Sequence, residues 1–250
     1  RRCALAGCRS VPGRRRALGR QLQRDWDAAP LVVARPVAPQ DPSGSPASQS
    51  EGPRDVQKGG FVARLNQIAE AHPEAERFEI WSQDEARVGQ KGRTGYVWWQ
   101  RGHTPRGRRD LGHRSAWIIG AVCPARDTGV ALVMTRLDSE AMSLFLAELS
   151  QAIAPRAHAV VLMDKAGWHI AEDLIVPANL SLVLLPPYSP ELNPIERLWL
   201  YLKDNRLTHR VFADTAEIID ACCDAWNGLL AETGRIRSLC SYPWIEQVIA

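Results

Sequence analysis

No apolar run in the sequence approaches the about 18 residues that span a bilayer, so no membrane association is expected. No apolar stretch follows Arg1-Arg2-Cys3-Ala4 that would serve as a signal-peptide core. Cysteine is sparse: Cys3, Cys8, Cys123, Cys222, Cys223 and Cys240 form no C-x-x-C pair, and adjacent Cys222 and Cys223 cannot easily bridge. Reduced thiols and a cytoplasmic location are therefore expected. The histidines and cysteines lack zinc-site spacing, so no structural zinc is assigned. No internal repeat is visible. A strong charge excess is also missing, because the net charge is only +3. That total does not identify a nucleic-acid binder.

What charge there is lies unevenly. Residues 1–60 hold 11 Lys and Arg against 5 Asp and Glu, whereas residues 61–250 hold 20 against 23. Within residues 36–53, 11 of 18 positions are Pro, Gly or Ser, which excludes a regular element. Residues 1–60 are accordingly expected to be a basic, Pro/Gly/Ser-rich arm or linker, disordered or a truncated DNA-binding region. The first residue is Arg rather than Met, and the chain is expected to be N-terminally incomplete or divergent. Residues 61–250 are expected to form one folded domain.

Phe61, Leu65, Ile68 and Ala69 recur at helical spacing, and Pro73 ends that segment. Phe78, Ile80, Ser82 and Asp84 share one face of a strand that ends near Asp84. Further strands are expected at Gly95–Trp99, Ser115–Cys123 and Gly129–Thr135. A helix capped by Ser139 carries Met142, Phe145, Leu146, Leu149 and Ile153 on one stripe and stops at Pro155. The continuous apolar runs Ala159–Met163 and Leu182–Leu185 read as buried strands. A short helix over Ile170–Ile175, a helix from Pro194 to about Arg206 and a last helix over Thr215–Leu230 complete the order. Strands first and β-α-β later predict an α/β mixed sheet flanked by helices.

Three acidic residues stand at element ends: Asp84, Asp164 and Glu196. A carboxylate after an apolar run is costly unless paired or bound to a metal. Converging carboxylates suit hard, oxygen-seeking Mg²⁺ or Mn²⁺, and two such ions can drive phosphodiester chemistry. Structural roles compete. Asp84 can open a turn, Asp164 can precede the turn at Gly167, and Glu196 falls at the third position of a helix capped by Asn193.

The local sequences bear on that choice. Trp81-Ser82-Gln83-Asp84-Glu85-Ala86-Arg87, Asp164-Lys165-Ala166-Gly167-Trp168-His169 and the run from Pro186-Pro187-Tyr188-Ser189-Pro190 through Asn193-Pro194-Ile195-Glu196 to Trp199 closely resemble the three catalytic blocks of DDE transposases. The branch resembled is the bacterial insertion-sequence 630 group of the Tc/mariner superfamily. The resemblance covers about Phe61 to Trp244. It implies a ribonuclease-H-like fold, with Asp84, Asp164 and Glu196 as catalytic and metal-binding residues for two Mg²⁺ or Mn²⁺ ions. It further implies water attack at transposon ends and 3′-hydroxyl strand transfer into target DNA. DNA, as terminal inverted repeats and target, is the implied partner, and a homodimer is allowed. A catalytically inactive DNA-binding remnant is the alternative.

Lys165 departs from the Asn or Gln usual at that place in the family. Arg87, Lys91, Arg93, Arg101, Arg106, Arg108, Arg109 and Arg114 form the best DNA-backbone candidate of the folded part; His169, close to Asp164, is assigned to contact a phosphate or to orient the site, against the structural reading of a polar residue satisfied at a helix start. Trp98, Trp117, Trp199 and Trp226 are expected in the core rather than as base-stacking platforms.

Overall fold

The structure, a computed structural model, describes residues 8–10, 30–32, 53–91, 100–103, 106–108, 110–186 and 192–242. The elements in chain order are β1 (Cys8–Ser10), β2 (Pro30–Val32), α1 (Pro53–Ala71), β3 (Arg77–Gly89), β4 (Arg106–Arg108), β5 (Ser115–Cys123), β6 (Thr128–Met134), α2 (Ser139–Ala152), β7 (Ala157–Met163), β8 (Leu180–Leu184), α3 (Ile195–Leu202), α4 (Thr215–Leu230) and α5 (Arg235–Cys240). The main sheet has the order β1-β6-β5-β3-β7-β8. β5 runs antiparallel to both β3 and β6, whereas β7 runs parallel to both β3 and β8. This is the mixed sheet expected from strands first and β-α-β later. β2 and β4 form a separate antiparallel pair. Among the described residues, no helix is long and apolar enough to cross a membrane.

The two sheet faces are covered differently, and strand alternation decides which residue meets which cover. On one face, Trp81, Ile119 and Val161 pack against Met142, Phe145, Leu146 and Leu149 of α2. On the other face the cover has two parts. Ile80, Val160 and Leu162 pack with Ile68 of α1. Ala86, Val88 and Ile118 pack with Leu198 and Trp199 of α3 and Trp226 of α4. Asp84 shares the alternation of Ile80 and Ala86 and stands between these two apolar groups.

β3 does not end near Asp84. It continues to Gly89 because Ser82–Gly89 pairs with β5, whereas Arg77–Ser82 pairs with β7. The strand changes partner at Ser82, and Asp84 lies two residues beyond that change. Other boundaries shift less. Asp138, not Ser139, caps α2, accepting from the Ala141 amide at 2.9 Å. No helix forms over Ile170–Ile175; a single 3₁₀ turn at Gly167–His169 takes its place. α3 ends at Leu202, and a π-helical turn over Lys203–Leu207 follows. α5 adds a helix that the apolar pattern did not predict. β1, α1 from Pro53, and β2 place regular structure inside the segment expected to be an arm. The strand expected at Gly95–Trp99 lies outside the described residues.

Gly120 of β5 is paired with Asp84. A Cβ there would meet Trp199 Cη2 at 2.8 Å and Trp226 Cη2 at 3.0 Å. Both indoles are buried ring systems in a close-packed core, so neither can yield cheaply. Gly120→Ala is therefore expected to destabilise the fold by about 1–3 kcal/mol, read as a lower midpoint in urea. An unchanged midpoint would contradict this packing.

Candidate active site

β3 and β7 are held in a fixed offset. Ser82 pairs with Leu162 at the end of their parallel ladder. Extended by two residues, the same register sets Asp84 opposite Asp164, which follows β7 directly. Parallel pairing thus brings two residues far apart in sequence to one end of the sheet, at the carboxyl end of a buried strand. Such ends are where open α/β sheets bind ligands.

Glu196 arrives from the other side. It lies in the first turn of α3, which packs on β3 through Ile195, Leu198, Trp199 and Leu202. It is exposed, next to that buried stripe. The capping role considered for this turn is not what the structure shows. No side chain caps α3. The Asn193 amide instead donates to the Gln83 carbonyl at 2.8 Å, tying the start of α3 to β3 one residue before Asp84.

The half-buried Asp84 carboxyl binds its proton far more tightly than an ordinary aspartate, with a pKa of about 7. Burial is the main cause, and the negative charges of Glu196 and Glu85 add to it. The backbone N–H of Glu85 and the Trp199 indole act in the opposite sense. Trp199 Nε1 donates to Asp84 Oδ2 at 2.9 Å. The Glu196 charge is therefore felt at Asp84, and two of the three acids share one electrostatic environment.

The sign of the pH effect follows. The folded protein holds a proton on Asp84 that the unfolded chain releases near its ordinary value of 3.8. Stability is present below that value and falls as pH rises towards 7. Asn at position 84 cannot ionise and can still accept from Trp199. In the absence of divalent cations, Asp84→Asn is expected to be more stable than wild type at pH 8, by about 2 kcal/mol, and to show a flatter pH profile. Thermal unfolding between pH 5 and 8 reads this; parallel profiles would contradict it.

Asp164 is more open, with a side chain 59% exposed. Its Oδ1 accepts from the Ala166 amide at 2.9 Å and lies 2.8 Å from His169 Nδ1. Among the described residues, no three ligand-type side chains already stand close enough to hold a metal ion. Asp84, Asp164 and Glu196 gather at one end of the sheet without forming a closed cage. Lys165 is exposed beside Asp164.

His169 is not where a DNA contact requires it. Its side chain is 0% exposed. Nε2 lies 2.8 Å from Glu85 Oε1, and Nδ1 faces Asp164. With both ring nitrogens engaged inside the protein, none is left for a phosphate. Burial opposes a charged ring here, but Glu85 and then Asp164 outweigh it, and the His169 pKa is raised.

The basic candidates divide. Arg87, Lys91 and Arg114 line a cavity of about 500 Å³, together with His113 and Lys203. Arg114 is held by donating from Nη1 to the Ala213 carbonyl at 2.7 Å, and Arg87 Nε donates to Ser115 Oγ at 3.0 Å. Asp110, the acid that interrupts the basic run in sequence, is buried and accepts from the amides of Gly112 and Phe212. It serves the loop and leaves the cavity basic. Arg101 is exposed, Arg106 and Arg108 lie on β4, and Arg93 and Arg109 lie outside the described residues.

Sequence reasoning missed Lys203, although its position carries a signal. Glu196, Leu200 and Lys203 follow one another at i, i+4 and i+7, a helical spacing, and Leu207 closes the π-helical turn that follows. The last three line the cavity. It also missed Glu85 as a partner of His169. The two are separated by 84 positions, and no local pattern links them. Of the tryptophans expected in the core, Trp199 and Trp226 are buried, Trp117 is half-buried, and Trp98 lies outside the described residues.

An uncharacterized protein of Sinorhizobium fredii (strain NBRC 101917 / NGR234), y4pE/y4sA, is 45% identical over 132 residues, which cover 53% of this chain and 98% of that protein. Among solved structures, the mariner Mos1 paired end complex with Mg superposes with a TM-score of 0.50 at 14% identity, covering 87% of this chain and 64% of that one. The Mos1 strand transfer complex gives a TM-score of 0.47 at 16% identity, covering 76% and 61%. The chain thus spans less than two thirds of those Mos1 chains. The first of these likenesses shows the fold, the ribonuclease-H-like mixed sheet flanked by helices. Residues 79–219 match the family model of the DDE superfamily endonuclease, and that stretch contains all three acids. The chain belongs to the DDE superfamily of endonucleases.

Proposed function

We propose that this chain is the catalytic domain of a transposase that cleaves DNA strands at transposon ends and transfers the 3′-hydroxyl end into target DNA. The observation that carries this reading is the β3–β7 register, whose ladder ends at Ser82 and Leu162 with Asp84 and Asp164 each two residues beyond, while the charge of Glu196 in the first turn of α3 acts on Asp84. The residues fit a divalent cation in kind. The donor set is three carboxylates, and Asp84 is desolvated beside the negative charge of Glu196. Two buried polar atoms on its side of the sheet, Ser82 Oγ and Asn193 Oδ1, have no hydrogen-bond partner among the described residues. Oxygen-rich, unsatisfied surroundings suit a hydrated Mg²⁺ or Mn²⁺.

Asp84, Asp164 and Glu196 would hold two such ions. When bound, the ions supply an activated oxygen nucleophile and charge stabilisation at the leaving oxygen. The protein's own part is placement. Trp199 orients the Asp84 carboxylate, the Asn193–Gln83 hydrogen bond anchors the start of α3 and so Glu196, and the backbone after β7 fixes Asp164 through Ala166. The basic cavity holds the DNA backbone near these acids, since Lys203 opens the π-helical turn that directly follows α3, seven residues after Glu196.

The lack of a closed three-acid cluster among the described residues favours one alternative, a DNA-binding remnant that does not cut. Incubation with DNA carrying terminal inverted repeats and Mg²⁺ or Mn²⁺ separates the two. Metal-dependent nicks with 3′-hydroxyl ends, followed by joined products, support the transposase reading. DNA binding without cleavage in either metal would support the remnant.

A further inference from the structure

Adjacent residues on a strand point to opposite faces. Asp84 faces α3. Glu85 faces the other side, where Trp168 packs into the apolar group under α2. Glu85 is only 5% exposed at its side chain. Its Oε1 accepts from Gln83 Nε2 at 3.0 Å and Trp168 Nε1 at 3.2 Å, and lies 2.8 Å from His169 Nε2. The opposite ring nitrogen, Nδ1, lies 2.8 Å from Asp164 Oδ1 and 3.0 Å from the Asp164 carbonyl oxygen. An unbroken chain therefore runs from a buried carboxylate, through a buried imidazole, to an exposed carboxylate.

This arrangement has a cost that packing alone does not require. Burying a carboxylate and an imidazole is expensive, and apolar residues of the same volume usually serve a core as well. Asp164 needs outside help to stay in place, because it stands exposed just past a strand end. Among the described residues, both side-chain contacts of Asp164 fall on Oδ1, and Oδ2 is the oxygen offered to a cation. We propose that Glu85 and His169 form a buried brace that orients the Asp164 carboxylate for divalent-cation binding. They are positioning residues, which touch neither DNA nor metal. The brace also ties β3, which carries Asp84, to the turn after β7, which carries Asp164. The inference rests on the metal-binding reading of the three acids.

The test is Mn²⁺ titration of the whole chain, followed by electron paramagnetic resonance of the free ion, with thermal unfolding alongside. Wild type is expected to bind Mn²⁺ and Asp164→Ala to lose it. Glu85→Gln and His169→Ala are expected to weaken binding about 10- to 100-fold, the usual effect of removing a group that orients a metal ligand. His169→Gln, whose amide can donate to Asp164, is expected to recover part of that loss. Glu85→Gln keeps the shape of the buried side chain, so it carries the test by itself if His169→Ala unfolds. Folded Glu85→Gln binding Mn²⁺ within twofold of wild type would overturn the brace and leave the metal site standing. Wild type that binds no Mn²⁺ would overturn the metal-binding reading, and the brace with it.

Discussion

Asp164→Ala is expected to lower Mg²⁺-dependent nicking of end-containing DNA by at least about 10³-fold, with little change in thermal stability. Two properties of the residue set this expectation. Its side chain is 59% exposed, so its removal opens no core cavity. It is also one of the three carboxylates proposed to hold the metal, and a metal site that loses a charged ligand loses the charge stabilisation that lowers the barrier. A loss of about 4 kcal/mol in transition-state stabilisation corresponds to that factor. Asp84→Ala is a less clean test, because removing a carboxyl that burial makes costly also changes stability. The nicking rate at saturating DNA is the measurement. Activity of Asp164→Ala within tenfold of wild type would remove the residue from the site.

The second large effect concerns DNA affinity. Lys91→Glu combined with Lys203→Glu reverses two charges in the basic cavity while leaving Arg114 on the Ala213 carbonyl and Arg87 on Ser115. Affinity for duplex DNA is expected to fall about 100-fold at 0.1 M salt. The slope of log affinity against log salt should also become shallower, by about 0.9 for each phosphate that is no longer neutralised. Nicking should then fail at low DNA concentration and recover at high concentration, because the acids are untouched. An unchanged salt slope would show that DNA runs elsewhere on the surface.

The two effects draw on features that were unequally legible in the sequence. Alternation in Phe78-Glu79-Ile80-Trp81-Ser82-Gln83-Asp84 put Asp84 on the Ile80 face, and the apolar run before Asp164 marked a buried strand. Both survive in the structure. The end of β3 did not, because Ala86 and Val88 form a weak apolar pattern and the strand is extended by pairing with β5. The turn at Asn193-Pro194 had the residues of a helix cap, yet Asn193 is drawn to the Gln83 carbonyl, a partner 110 positions away. His169 was visible as a residue close to Asp164, but its burial depends on Glu85 and Trp168, which only the fold brings round it. Cys8–Ser10 shows no strand pattern by itself; its place as an edge strand comes from its parallel pairing with β6. For Asn193 and His169 local chemistry marked the residue, and in every case long-range pairing decided its role.

The central claim is that Asp84, Asp164 and Glu196 act as one metal site. Anomalous diffraction from crystals soaked in Mn²⁺ tests this most directly. Mn²⁺ peaks are expected within coordination distance of all three carboxylates, with Asp164 bound through Oδ2. Mn²⁺ located elsewhere, or no Mn²⁺ at these carboxylates, would contradict it.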